Sequence, residues 1–347
     1  MVLLLLQVKG LPFVGKSVLY AWDDLVLELN IEGPGREALD TLLQELSWVR
    51  IQSSNSEPSL RLSVAPDSDG FSPPRNCREV LRADGFLGVE SANDFYLTDG
   101  SSVFHLRPDR GEGYARLAPS FFAKPTLAQA NFWCFGLLKL LRTLGIYCLH
   151  AASLVSGDEG GLLLVGASGS GKSTLAIGLI RAGWRYLSDD AVLLRNGSQG
   201  VEALACRRSF YVDARRSADY SDLSLGEEAP DSNGGRRRKV GINESYPEQY
   251  VPRCLPRVVI FPRIECQDQS TLKPIDCVHA LGLLLAQSAP QLFDRSTMAG
   301  HLELLKTLLQ QTETYELNAG IDLYHQPAKF TGLIHQAQGE KIGADCH

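Results

Sequence analysis

The stretch Gly161-Leu-Leu-Leu-Val-Gly166-Ala-Ser-Gly-Ser-Gly171-Lys-Ser-Thr-Leu175-Ala-Ile-Gly-Leu-Ile180 decides how the chain reads. Its middle, Gly166, Ala167, Ser168, Gly169, Ser170, Gly171, Lys172, Ser173 and Thr174, is a complete G-x-x-x-x-G-K-[ST] phosphate-binding loop. The apolar run before it predicts a buried strand, and the run after it a helix, which is the context this loop requires. Glycines let backbone N–H groups curl around phosphate oxygens, and the helix N-terminus adds partial positive charge. Lys172 is placed to neutralise β- and γ-phosphates, and the Ser173 hydroxyl to ligate magnesium.

Working outward, the next acids refine the class. Trp184-Arg-Tyr-Leu187 predicts a strand ending on Ser188-Asp189-Asp190, seventeen residues after Lys172. A strand–loop–helix–strand unit puts that end beside the loop, so the two aspartates are expected near the γ-phosphate and its metal. One carboxylate suits magnesium and the other suits accepting a proton from an attacking hydroxyl. His150, at the head of Ala151–Val155, is expected on the strand beside the loop strand, within reach of the acid pair. Ile146–Val155, a turn at Ser156–Gly160 and the loop strand read as one hairpin.

These residues resemble a known family. His150-Ala-Ala-Ser, Gly166-Ala-Ser-Gly-Ser-Gly-Lys-Ser, Thr174-Leu-Ala-Ile-Gly-Leu-Ile-Arg-Ala-Gly183 and Asp189-Asp-Ala-Val192 follow the order found in the catalytic core of bacterial HPr kinase/phosphorylase. The resemblance spans His150 to Arg195. It implies a P-loop serine kinase related in fold to phosphoenolpyruvate carboxykinase, using ATP and magnesium to phosphorylate a serine of a protein. It further implies Asp189 as general base, Asp190 as a metal-side acid with Ser173, and an assisting role for His150. The family's E-[IV]-R-G-[LI]-G signature is missing, with Arg207-Arg-Ser-Phe-Tyr-Val-Asp213 in that region. The phosphorylase reaction and the classical hexamer are therefore not carried over, and a homo-oligomer stays an open expectation. The whole resembles the diverged HPr-kinase-like proteins of peptide-modification gene clusters, some of which phosphorylate a precursor peptide.

The expected fold is thus α/β, α+β overall, with two domains. Residues 1–124 form a smaller α+β domain with no catalytic signature, open to a substrate-docking role. Residues 125–347 form the HPr-kinase-like catalytic domain. In the first, Val18–Trp22, Leu25–Leu29, Leu60–Val64 and Ser102–Leu106 read as strands, Arg36–Leu46 as a helix and Pro66–Arg75 as a loop. The opening Met1–Lys9 reads as a strand. In the second, Leu127–Leu144 is an amphipathic helix closed by Gly145, and Gly183 is a C-cap. Ala214–Asn243 reads as a mobile polar loop, and Pro256–Pro262 as a buried strand. Val278–Ser288 and Ser296–Gln311 read as helices, and Tyr315–Leu317 as a strand. Arg207, Arg208, Lys239 and Arg253 are candidates for the positive charge that phosphoryl transfer needs.

A net charge of -6 gives no reason to expect nucleic acid. No run approaches the ~18 apolar residues of a membrane span, and the start lacks a basic region and cleavage site. The eight cysteines form no C-x-x-C pair and fit no zinc spacing, so reduced, mostly buried thiols and a cytoplasmic setting are expected. A kinase of a small hydroxylated molecule and a regulatory nucleotide-binding module remain alternatives. A transporter-type ATPase is disfavoured, since no Leu-Ser-Gly-Gly-Gln and no late apolar strand ending Asp-Glu occur.

Overall fold

The computed structural model describes residues 17–32, 36–66, 71–83, 85–91, 93–157, 160–207, 209–230, 235–265, 267–288 and 295–344. The Met1–Lys9 strand, part of the Pro66–Arg75 loop and Arg208 lie outside them. The chain is a mixed α/β protein of two compact units, one of Met1–Thr41 and Trp48–Gly136, the other of Leu42–Ser47 and Leu137–His347.

The first unit is built on nine strands: β1 Val18–Trp22, β2 Leu25–Ile31, β3 Val49–Ile51, β4 Leu60–Pro66, β5 Arg78–Ala83, β6 Phe86–Ser91, β7 Asp94–Thr98, β8 Val103–Arg107 and β9 Glu112–Leu117. They pair in the order β3-β1-β2-β4-β9-β8-β7-β6-β5. Strict alternation makes one face of β4 buried, with Leu60, Leu62 and Val64 inside. Helix α1, Arg36–Glu45, begins in this unit, and so does α2, Thr126–Thr143. The rings of Phe86, Phe104, Phe121 and Trp133 all pack within 5.7 Å of Phe132 or each other on α2's apolar face.

The second unit centres on a six-stranded sheet. Its strands are β11 Ala151–Val155, β12 Gly161–Val165, β13 Arg185–Ser188, β20 Pro256–Ile264, β21 Thr271–Pro274 and β22 Glu313–Ala319, in the order β13-β11-β12-β20-β22-β21. Strands β12, β20 and β22 run parallel, while β11 runs antiparallel to both β12 and β13. Every residue of β12 is buried, which explains its unbroken apolar sequence. Leu162 and Leu164 face a core shared with α3, Lys172–Arg181, α7, Ile321–His325, and α8, Lys329–Ala344. Leu163 and Val165 face the other core, under α5, Cys277–Ala286, and α6, Met298–Gln311.

Two smaller sheets complete this unit. Strands β10 Tyr147–Leu149, β14 Val192–Gly197, β15 Gly200–Ala205 and β19 Arg253–Cys254 form one, in the order β10-β14-β15-β19. The expected continuous strand Ile146–Val155 is therefore divided at His150, with β10 pairing β14 and β11 pairing β12. The expected mobile loop 214–243 is a correction. Its described residues form a 3₁₀ helix Ala214–Tyr220, strands β17 Ser224–Pro230 and β18 Arg236–Gly241, and a short helix α4 Ile242–Ser245. With β16, Phe210–Asp213, the strands make an antiparallel sheet β16-β18-β17. Phe210, Val212 and Val240 seat this sheet on the core, and Glu228 joins Arg236 and Arg238 at 2.7 and 2.6 Å.

Candidate active site

Topology brings the motifs together. Strands β12 and β13 both run antiparallel to β11, so their C-terminal ends lie at the same edge of the sheet as the N-terminal end of β11. The glycine-rich loop leaves β12 there, the Asp189–Asp190 pair leaves β13, and His150 enters β11. The expected adjacency holds with one difference: β11 intervenes between the loop strand and the strand of the acid pair.

Helix α3 starts directly after the loop, with Gly171 as its N-cap at φ +94°. A side chain there would be strained and would crowd Ile264 at 3.2 Å. The helix closes at Gly183, φ +95°, where the Trp184 N–H returns to Leu179 O at 3.0 Å. Lys172 is buried, and its Nζ donates to Gly166 O at 2.6 Å and Ala167 O at 3.0 Å. Burial pulls its pKa down, against the charges of Asp189 and Asp190.

The two aspartates meet opposite surroundings. The Asp189 carboxylate is buried and accepts from Ser173 Oγ at 2.8 Å, while its Oδ1 makes no hydrogen bond. Burial, and then the Asp190 charge, push its pKa up to about 6. Asp190 sits at φ +66° and lines the cavity beside the loop. Its Oδ1 lies 3.2 Å from His150 Nε2, and its Oδ2 accepts from Arg207 Nη1 at 2.7 Å. Burial raises its pKa, but His150 and Arg207 outweigh that and hold it well below the usual carboxylate range. The pair's turn is fastened to the segment that follows β15: Asp189 N–H donates to Arg207 O at 3.0 Å, and Ser188 Oγ accepts from Arg207 N–H at 2.8 Å.

The cavity at this edge measures about 320 Å³. Ser168, Gly169, Gly171, Lys172, Ser173 and Thr174 line it, with His150 and Asp190 opposite. Of the remaining predicted loop residues, Gly166 and Ala167 contribute the carbonyls that hold Lys172, and Ser170 Oγ is buried without a hydrogen bond. Lys239 and Arg253 are not among the lining residues: Lys239 pairs with Glu45 at 2.8 Å, and Arg253 lies on β19. The arginines that do line it are Arg215, Arg216, Arg236 and Arg237, of which Arg237 donates to Ser168 Oγ. Sequence reasoning missed Arg215 and Arg216 because their segment read as loop; the adjacent Arg215-Arg216 pair was the available signal.

The donor set fits magnesium. A serine hydroxyl and a carboxylate meet, and the carboxylate keeps one buried oxygen, Asp189 Oδ1, without a partner. Magnesium commonly takes only one or two carboxylates, with water and phosphate completing its shell. Among the described residues, no group of three or more His, Cys, Asp or Glu side chains could hold a metal.

Comparison with known proteins places this chain near one group. Over 68 residues it is 40% identical to a protein named HPr kinase/phosphorylase from Chlorobium chlorochromatii. That match spans 20% of this chain and 20% of the relative. The solved structure of the Hpr(Ser) kinase/phosphatase from Coxiella burnetii is similar over 57% of this chain and 94% of that one, at 14% identity and a TM-score of 0.30. No family model matches the chain. The chain thus matches only about a fifth of the length of the relative named HPr kinase/phosphorylase.

Proposed function

We propose that the second unit is an ATP- and magnesium-dependent kinase that transfers the γ-phosphoryl group to a serine hydroxyl of a protein or peptide. One observation carries this: Lys172, Ser173, Asp189, Asp190 and His150 converge at a single sheet edge, around a cavity rimmed by arginines. The 40% identity over 68 residues to a protein named HPr kinase/phosphorylase supports the choice of phosphotransferase.

In this reading the backbone N–H groups of the loop and of the first turn of α3 bind the phosphates. Lys172 exchanges its two loop carbonyls for β- and γ-phosphate oxygens. Ser173 and Asp189 hold magnesium, which when bound neutralises charge on the phosphates. The geometry favours dividing the acids in the reverse order to the resemblance. Asp189 is buried against Ser173, whereas Asp190 faces the cavity where a substrate hydroxyl arrives. Asp190 orients that hydroxyl and takes its proton, with His150 and Arg207 holding the carboxylate in place. A low proton affinity is tolerable here, because phosphoryl transfer relies mostly on positioning and charge. Arg215, Arg216 and Arg237 offset the negative charge that develops on the transferred group.

The test is transfer of label from γ-labelled ATP with magnesium, using serine-bearing proteins and peptides encoded beside this gene as acceptors. Label on an acceptor serine is expected. ATP binding without transfer or hydrolysis in all of them would favour a regulatory nucleotide-binding module.

A further inference from the structure

Lys239 is a cation that the phosphate cavity does not use. It lies on β18, outside the residues that line the cavity, and its Nζ donates to Glu45 at 2.8 Å. Glu45 ends α1, in the segment Leu42–Ser47 that packs as part of the second unit. Ser47 Oγ fastens that segment by donating to Cys206 O at 3.2 Å, one residue before Arg207. Both ends of the ion pair are open to water, with side-chain exposures of 42% for Lys239 and 40% for Glu45. An exposed pair of this kind is worth little, so another carboxylate can displace Glu45.

The small sheet ties this pair to the cavity. Strand β16 pairs with β18 in the register Tyr211↔Lys239 and Asp213↔Arg237. Side chains alternate along a strand, so these residues share one face, while Phe210, Val212 and Val240 turn the other face to the core. Tyr211, Asp213 and Arg237 line the cavity, and Lys239 stands directly opposite Tyr211 on the neighbouring strand. The Asp213 charge is offset by Arg215 at 2.6 Å. Burial, then the Glu45 carboxylate, push the Tyr211 pKa up, against the charges of Lys239 and Arg207. The ring thus stands between Asp190, where an acceptor hydroxyl arrives, and the Lys239–Glu45 pair.

We infer that Lys239 reads an acidic side chain of the acceptor, which lies along Tyr211 and takes the place that Glu45 holds in the free protein. The acceptor is then a serine-bearing segment with an aspartate or glutamate within a few residues of the serine. The inference rests on the kinase reading for the serine, and on the Lys239–Glu45 pair for the acid. Glu45 is an internal stand-in: it holds Lys239 in place and must be displaced, so only an acidic acceptor gains from the exchange. A neutral or basic segment finds no charge to replace it.

The experiment uses the full chain with ADP and magnesium and sets of serine peptides. In each set one residue is moved position by position away from the serine: glutamate in one set, glutamine in another, lysine in the last. Binding is read by fluorescence anisotropy, and transfer separately with γ-labelled ATP. The wild type should bind the best glutamate peptide about two- to fivefold tighter than its glutamine counterpart, an advantage that shrinks with added salt. Lys239→Gln should abolish the advantage and Lys239→Arg should keep it. Glu45→Gln, which removes the stand-in, should widen it. Lys239→Glu should turn the order round and favour lysine. Both positions are partly exposed, so these changes hollow no core. A pair that only tethers α1 to β18 would shift melting temperature and leave peptide discrimination alone. Equal binding of the glutamate and glutamine sets overturns the assignment, as does an advantage that survives Lys239→Gln or stays the same in Glu45→Gln. Discrimination that depends on Lys239, with no label on any serine, would keep the acid-reading site and overturn the kinase reading instead. Failure to bind any peptide overturns the site.

Discussion

Asp190 holds a left-handed backbone, φ +66°, that a non-glycine residue adopts only under constraint. The constraint is visible in the bonds that fasten its turn to Arg207 and in its own pairing with His150 and Arg207. The turn points the two carboxylates apart, one into the interior toward Ser173 and one into the cavity. That separation predicts different kinetic signatures. Asp190→Asn should lower kcat by about 10²–10⁴-fold with ATP affinity retained. Asp189→Asn should instead raise the magnesium concentration needed for half-maximal rate, as should Ser173→Ala. A magnesium titration of the three variants distinguishes the roles, and a raised requirement in Asp190→Asn alone would reverse them. His150→Ala should lower kcat with little change in nucleotide affinity; an unchanged rate would make His150 purely structural. The sequence showed that Asp189, Asp190, His150 and Lys172 belong together. It did not show which aspartate is buried, because two adjacent acids differ only through the backbone turn between them.

At the scale of elements, the segments read correctly are those whose side chains sort by burial. β12 is apolar throughout because both faces are covered, and α2 shows its apolar face because the aromatic cluster packs on it. The polar strands β17 and β18 escaped because, of their described side chains, only Leu225 and Val240 reach the core, too few to show an apolar alternation. Strands β5, β6, β7 and β9 and helices α7 and α8 were not anticipated either; α8 has polar and apolar residues mixed around its circumference. Close packing gives a direct test in α2. A Cβ on Gly136 would overlap the Phe104 ring, which is wholly buried and abuts Phe132 and Trp133. Gly136→Ala should therefore destabilise the protein by about 1–3 kcal/mol through overpacking. A fall of several degrees in melting temperature is expected, and an unchanged melting curve would contradict the packing described.

Over the whole molecule, an acidic chain of net charge -6 carries a basic rim around one cavity, a distribution suited to a polyphosphate and not to nucleic acid wrapping. Among the described residues, Cys77, Cys254 and Cys277 are free thiols, and no helix is long and apolar enough to cross a membrane. Stability should respond to pH through His301, which stacks on Tyr147 at 4.7 Å with its Nδ1 buried and unbonded. Burial, reinforced by the Arg142 charge, lowers its pKa to about 4. Its neutral form is the folded form, so its contribution is complete above the unfolded pKa near 6.5 and is lost as pH falls toward 4. The loss is on the order of 3 kcal/mol. Melting temperature should drop more steeply between pH 6.5 and 4 in the wild type than in His301→Phe; equal slopes would count against a buried neutral histidine.

The most direct measurement of the central claim is phosphoryl transfer from γ-labelled ATP and magnesium to an acceptor serine, run with wild type, Lys172→Ala and Asp190→Asn side by side. The account predicts label on the serine with wild type. It predicts neither nucleotide binding nor transfer with Lys172→Ala, and binding without appreciable transfer with Asp190→Asn. Transfer at the wild-type rate by either variant would contradict the assignment of this site as the one that moves the phosphoryl group.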